Sequence, residues 1–235
     1  MSKIAYSMIP EADLLPPLGL IVLQTDETVE PEFSRSFAKV PSPIYVTRIP
    51  SGDEVTTKTL SEMENHISGA ASLLPKSLSF PVIGYCCTSA SSVIGSDKVE
   101  KLVQTACNAK MVTNPLRAAI AFAGQKGISK LAMLSPYIGE VNTPLRTAFQ
   151  QAGLSTDVFG SFGEAEEAKV ARISSQSVFD GAVRLGSDPS VEGVFLSCTN
   201  LKTYDVIAEI EQHIGKPVFS SNSALAWHMK VQINA

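Results

Sequence analysis

Val82-Ile83-Gly84-Tyr85-Cys86-Cys87-Thr88-Ser89 and Gly193-Val194-Phe195-Leu196-Ser197-Cys198-Thr199-Asn200 follow one pattern. Each is a short apolar run that meets a cysteine and passes into residues carrying hydroxyl or amide groups. A shift of 111 residues lays one on the other, placing Cys87 on Cys198 and Thr88 on Thr199. The same shift carries Leu20–Leu23 onto Leu131–Leu134 and Asp26 onto Tyr137. One register that aligns two strand ends predicts a duplicated architecture of two α/β halves.

Working outward from these stretches, short apolar runs bounded by turn residues recur at Leu18–Leu23, Ile44–Arg48, Pro81–Cys87, Lys110–Thr113, Lys130–Ser135, Thr156–Ser161, Val191–Cys198 and Pro217–Ser220. Several are continuously apolar rather than alternating, as strands are when helices cover both faces of a parallel sheet. Helical patterns separate them at Asp97–Asn108, Pro115–Gly124, Thr143–Ala152 and Tyr204–Ile214. Gly124, Gly127, Gly153 and Gly215 stand where such helices stop before the next strand. The alternation predicts an α/β fold with parallel strands. The first half is expected to hold residues 1–115 and 216–235, and the second residues 116–215.

The chain has 235 residues, 44% hydrophobic and 18% charged, which describes a protein with a buried core. Its net charge is −4 and its lysines and arginines are scattered, so neither nucleic acid nor a membrane surface is an expected partner. The stretch Met1–Pro17 lacks an apolar core of signal-peptide length, and a cytoplasmic location is expected. Cys86, Cys87, Cys107 and Cys198 then read as thiols rather than a disulfide framework. No Cys/His spacing matches a zinc site. His66, His213 and His228 read as surface or helix-flank residues. There is no dinucleotide fingerprint and no P-loop. Neither a metal nor an organic cofactor is expected.

In parallel α/β sheets, ligands bind beyond the carboxyl ends of the strands, where Cys87 and Cys198 fall. Backbone amides at a strand-to-helix turn, joined by the hydroxyls of Thr88, Ser89 and Thr199, form an anion site and draw a thiol toward thiolate. Two thiols on opposite faces of one small substrate suit proton removal from one face and delivery to the other, or nucleophilic addition by one with help from the second. Cys107, in a helical pattern, and Cys86, on the opposite sheet face from Cys87, read as packing residues. So does Trp227. The acidic runs after Thr28 and at Glu164–Glu167 read as solvated helix starts, and Asn114 and Asn222 fit either the cleft floor or loop caps.

Gly84–Ser91, Leu196–Leu201 with Thr203 and Asp205, and Ser135-Pro136-Tyr137 resemble the Asp/Glu racemase superfamily, in its maleate cis–trans isomerase and arylmalonate decarboxylase branch. Leu18–Thr28 resembles the ectoine-utilisation members of that branch. The resemblance runs from Leu18 to Met229. It implies two four-stranded parallel subdomains with a substrate cleft between them, and no cofactor. It matches Cys87 to the isomerase's first cysteine, where the decarboxylase has glycine, and Cys198 to the cysteine common to both. Tyr137 matches a tyrosine that donates to the substrate carboxylate, and Thr88 and Ser89 a loop that holds it.

Two positions depart from the isomerase pattern, which places asparagines where this chain has Asp26 and Glu167. An ionised carboxylate accepts hydrogen bonds but cannot donate to a substrate carboxylate. A substrate with one carboxylate and an amino or amide group fits Asp26 better than a dicarboxylate does. A turn acceptor and a helix-start charge are the ordinary alternatives. The expected function is a cofactor-independent isomerase or racemase of a small carboxylic acid, with a homo-oligomeric state left open. A decarboxylase and a non-catalytic two-lobed binding module are the alternatives.

Overall fold

The continuous apolar runs become strands buried on both faces. A computed structural model of the chain describes residues 2–10 and 13–233. The first half runs β1 (Leu18–Leu23), α1 (Val29–Ser36), β2 (Ile44–Ile49), α2 (Thr57–Glu62), α3 (Glu64–Ala71), β3 (Phe80–Cys86), α4 (Thr88–Ile94), α5 (Ser96–Gln104), β4 (Ala109–Thr113) and α6 (Pro115–Gln125). The second runs β5 (Leu131–Tyr137), α7 (Gly139–Gln151), β6 (Phe159–Glu164), α8 (Glu167–Val170), α9 (Ser175–Gly186), β7 (Gly193–Leu196), α10 (Ile207–Ile214), β8 (Val218–Ser220) and α11 (Ser221–Ile233). No helix among the described residues is long and apolar enough to cross a membrane.

Two four-stranded sheets result, ordered β2-β1-β3-β4 and β6-β5-β7-β8. Every strand pair within them is parallel. The matching orders support the duplication, but one shift does not serve both strands. Leu18 pairs with Val82, whereas Leu131 pairs with Gly193. With Cys87 held on Cys198, β1 therefore maps onto β5 with an offset two residues larger than 111, and Asp26 is not the counterpart of Tyr137. An even slip keeps every side chain on its own sheet face, so the core tolerates it.

Several boundaries move for local reasons. The sixth strand starts at Phe159 rather than Thr156, because Ser155 forms only an isolated bridge to Lys130 and the ladder resumes at Met133–Phe159. β8 was expected to return to the first half; it pairs with β7 instead, so the chain crosses back only at Ser221. Residues 1, 11, 12, 234 and 235 of the expected first half lie outside the described residues. Helix α11 then lies over β3, where a Cβ on Gly84 would stand 2.9 Å from the Met229 sulfur and 3.1 Å from Leu20 Cδ2. His228 is no surface residue: it is buried in α11, its Nδ1 2.7 Å from the Thr113 hydroxyl. Trp227 packs edge-on to Phe122, as a packing anchor should.

Small residues let helices seat on the sheets. A methyl on Gly186 at the end of α9 would lie 2.6 Å from Ile214 Cδ1 and 2.7 Å from Val194 Cγ2. Overpacking of a filled core costs about 1–3 kcal/mol. Gly186→Ala should therefore lower the thermal midpoint by roughly 2–10 °C, read by scanning calorimetry, without altering the far-ultraviolet circular dichroism.

Candidate functional site

Both cysteines lie just beyond their strands. Cys87 follows β3 directly and caps α4, its Sγ accepting from the Ala90 amide at 3.3 Å. Cys198 lies two residues past β7 and has a φ of +95°, the one positive φ at a non-glycine residue among those described. A side chain held there is strained by about 1–3 kcal/mol, which the surroundings must compensate. They do so by hydrogen bonds: the Cys198 amide donates to Ser221 Oγ at 2.9 Å, and its Sγ accepts from the Asn200 amide at 3.2 Å.

The two strand ends meet. Ser221 Oγ shares a 2.8 Å hydrogen bond with the Thr88 hydroxyl, linking the Cys198 backbone to the turn that carries Cys87. Thr199 donates across the junction to the Cys86 carbonyl at 3.2 Å. Cys87 is 5% exposed and Cys198 4%, so the arrangement is closed over both thiols. Thr88, Ser89 and Thr199 are buried with them. Asp26, Tyr137 and Glu167 complete the cluster. All eight residues singled out in the sequence therefore converge on one place.

A hydrogen-bonded chain runs away from Cys198. The Tyr137 hydroxyl is 2.9 Å from Cys198 Sγ and donates to Glu167 Oε1 at 2.7 Å. With that hydrogen committed, the thiol is the donor to tyrosine. Glu167 Oε2 accepts from Asn200 Nδ2 at 2.8 Å. The resemblance gave Tyr137 the task of donating to a substrate carboxylate; here its hydrogen serves Glu167. Nor is Glu167 a solvated helix-start charge, being 4% exposed.

Asp26 closes the turn after β1. Its Oδ1 accepts from the amides of Thr28 and Val29, both at 2.8 Å, which seats the start of α1. Burial pushes the Asp26 carboxyl above its usual range, against those amides. Burial also raises Glu167, its bonds from Tyr137 and Asn200 oppose that rise, and the charge of Asp26 adds to it.

Neither thiol is drawn toward thiolate in this closed form, contrary to the expectation from the strand-end potential. Burial pushes Cys87 up to about 12, and Glu167 and Asp26 add to the rise while the Ala90 amide opposes it. Cys198 is raised well above the ordinary thiol value by burial and by Glu167. Two carboxyl groups and the loss of water outweigh one turn of amides.

Four supporting residues carry no motif of their own. Ser221 and Asn200 are described above. Glu32, expected to be solvated, is buried in α1 and accepts from the amides of Thr203 at 2.8 Å and Tyr204 at 3.0 Å and from Asn222 Nδ2 at 2.8 Å. Asn222 also donates to the Thr199 carbonyl at 2.8 Å, a role nearer to the cleft floor than to a loop cap. Asn200, Ser221 and Asn222 were signalled by their place just past strand ends, and Glu32, inside α1, by nothing. Cys86 and Cys107 pack away from the cluster, their thiols donating to the Gly84 and Val103 carbonyls. No group of three or more His, Cys, Asp or Glu among the described residues is arranged to hold a metal ion.

Two parallel α/β halves joined over a pair of buried thiols define a two-lobed protein with a cysteine site at the junction. A sequence model of the arylmalonate decarboxylase family matches residues 18–235. The chain belongs to that family, in the Asp/Glu racemase superfamily branch that also holds maleate isomerase. An arylmalonate decarboxylase of Bordetella bronchiseptica is 32% identical over 117 residues, 49% of this chain; the match spans just under half of that relative, 46% of its length. The fold is that of a maleate isomerase from Pseudomonas putida S16 solved with maleate, at a TM-score of 0.80 and 18% identity over 94% of this chain and 93% of that one. A Nocardia farcinica maleate cis–trans isomerase variant with a covalently bound succinylcysteine intermediate superposes at a TM-score of 0.78 and 20% identity, again over 94% and 93%.

The raised thiols have a measurable consequence. A free thiol titrates near 8.5. A folded value of about 12 keeps Cys87 neutral, so its contribution to stability is full below pH ~8.5 and is lost as pH rises toward ~12. Ultraviolet thiolate absorbance of the native protein should show no ionisation of Cys87 below about pH 10. Glu167→Gln, which removes a nearby negative charge, should move that titration downward.

Proposed function

We propose that this protein is a cofactor-independent isomerase or racemase acting on a small carboxylic acid through Cys87 and Cys198. The observation that carries this reading is the pairing of two buried thiols at equivalent strand ends, joined through Thr88 and Ser221. The named relatives are enzymes, and one is a maleate isomerase variant with a covalently bound succinylcysteine. The curated relative is a decarboxylase, and decarboxylation is the second reading. Retention of a thiol at Cys87, where that enzyme's pattern has glycine, favours isomerisation. The likeness of Leu18–Thr28 to ectoine-utilisation proteins adds a setting, the breakdown of ectoine-type compounds.

Opening of the halves admits the substrate and lets water and substrate replace the packing that raises the thiols. The amides and hydroxyls of the Thr88–Ser89 turn, with Thr199, hold a carboxylate and the charge that develops on it. In racemisation, one cysteine as thiolate removes the α-proton and the other, as thiol, delivers a proton to the opposite face. In cis–trans isomerisation, the Cys87 thiolate adds to an activated double bond. The carbon–sulfur bond forms as the π bond breaks and its electron pair moves onto the adjacent carbon and carboxylate; after rotation that pair re-forms the π bond as the carbon–sulfur bond breaks and the thiolate leaves.

Cys198 is readied by the chain behind it. Its proton passes to the Tyr137 oxygen as the tyrosine proton passes to Glu167, leaving a thiolate, an intact tyrosine and a protonated carboxyl. A raised Glu167 suits this exchange, because a carboxyl with ordinary affinity would hold the proton too weakly.

Cys198→Ala and Cys87→Ala should each reduce turnover by at least about 10³-fold with unchanged circular dichroism, and full activity in either would refute the mechanism. Solvent deuterium separates the two reactions by proton NMR. Racemisation places deuterium on the α-carbon, whereas addition and elimination leave the original hydrogens in place. Glu167→Gln should retain substrate binding, lower kcat and shift the acidic limb of the pH–rate profile; an unshifted limb would remove Glu167 from the proton path.

A further inference from the structure

Asp26 and Glu167 bring two carboxyl groups to the same buried junction, 3% and 4% exposed, beside two thiols. No ion pair reaches either of them among the described residues. Arg48, the guanidinium whose charge bears on Asp26, donates to the backbone carbonyls of Leu23, Gln24 and Asp26 and pairs with Glu30. Lys169 pairs with Glu166, and Arg172 with Glu27. Two carboxyl groups thus stand beside the two cysteines, and each neighbouring cation among the described residues is paired elsewhere.

The four carboxyl oxygens are not equivalent. Both oxygens of Glu167 are occupied, by Tyr137 and Asn200. Oδ1 of Asp26 holds the Thr28 and Val29 amides. Oδ2 of Asp26 is buried with no hydrogen-bond partner. The Thr199 hydroxyl stands close to this carboxyl, yet its single hydrogen is directed to the Cys86 carbonyl at 3.2 Å. A buried acceptor left without a donor is destabilising, and such groups persist where a ligand supplies the missing partner. An amide here would have offered an N–H to an anion, whereas the carboxylate presents lone pairs alone.

We infer that Oδ2 of Asp26 receives a protonated nitrogen of the substrate, so that the site takes a small α-amino acid or a close analogue rather than a dicarboxylate. The inference rests on the reading of Cys87 and Cys198 as the reactive pair. The substrate carboxylate then lies at the Thr88–Ser89 turn, the ammonium at Asp26 and the α-carbon between the thiols. A cavity of about 200 Å³ lies beside Glu167, lined also by Thr25, Glu27, Asp53, Glu166 and Ala168. Its acidic wall favours approach of a cation over that of a doubly charged anion.

Butyrate and 2-aminobutyrate differ only in the α-ammonium and serve as probes. Calorimetric titration of the Cys198→Ser protein should show 2-aminobutyrate binding at least about tenfold tighter than butyrate, the scale of one charge-assisted hydrogen bond. Asp26→Asn keeps an oxygen for the Thr28 and Val29 amides. It should abolish the preference by weakening 2-aminobutyrate, while binding butyrate and maleate as well or better. Equal affinities for the two probes, or a preference that survives Asp26→Asn, would overturn the inference. Iodoacetamide labelling of Cys87 with each probe present tests the underlying reading apart from this one. Protection by butyrate with no preference for the amine leaves the cysteine site standing and removes the ammonium subsite. Asp26-dependent binding of 2-aminobutyrate without protection places the ammonium away from the thiols and overturns both.

Discussion

The structure turns on the backbone of Cys198, held at a φ of +95° by the hydrogen bond its N–H donates to Ser221 Oγ. An L-residue does not stay in that region by its own preference, so the neighbours must over-determine it. Ser221 heads the helix that carries the chain back across β3, and its hydroxyl also meets Thr88 at the end of that strand. One strained residue therefore depends on both halves being in place. The strain is held where the sulfur meets the Tyr137 hydroxyl and the Asn200 amide.

Charge at the junction follows from the same closure. Shutting water out raises every acidic group in the cluster, carboxyl and thiol alike, and each ionised neighbour raises the others. The closed state therefore sets two neutral thiols beside two carboxyl groups whose affinity for protons is raised. In the mechanism proposed above, the Cys198–Tyr137–Glu167 chain is the path by which Cys198 loses its proton.

Opening itself has identifiable contacts to break. The segment before α2 bridges the segment before α8, with the Val55 amide on the Ala165 carbonyl at 2.8 Å and the Glu167 amide on the Asp53 carbonyl at 3.0 Å. Arg172 and Glu27, both largely exposed, add a cross-junction ion pair that solvent screens. Glu167 sits in this bridge and in the proton chain at once, so access to the site and the setting of its proton acceptor are mechanically coupled.

Much of the fold was legible in the sequence because parallel strands buried on both faces are written as unbroken apolar runs, as at Leu18–Leu23 and Gly193–Leu196. Helices α4 and α11 were not legible, since small and polar residues such as Thr88–Ser92 and Ser221–Ser223 carry no apolar period. The cysteines and their hydroxyl neighbours could be read from repetition, and Asp26 and Glu167 from a departure in a familiar pattern. Their partners could not. Glu32 with Asn222, Tyr137 with Glu167, and Thr88 with Ser221 are joined across 190, 30 and 133 residues of chain. Local sequence holds no trace of such contacts, because they form only when segments distant in the chain are packed together by the tertiary fold. The order of residues names the groups this protein brings to its site; the packing of distant segments decides which of them are buried and bonded, and leaves Asp26 Oδ2, like Asn222 Oδ1, buried without a hydrogen-bond partner.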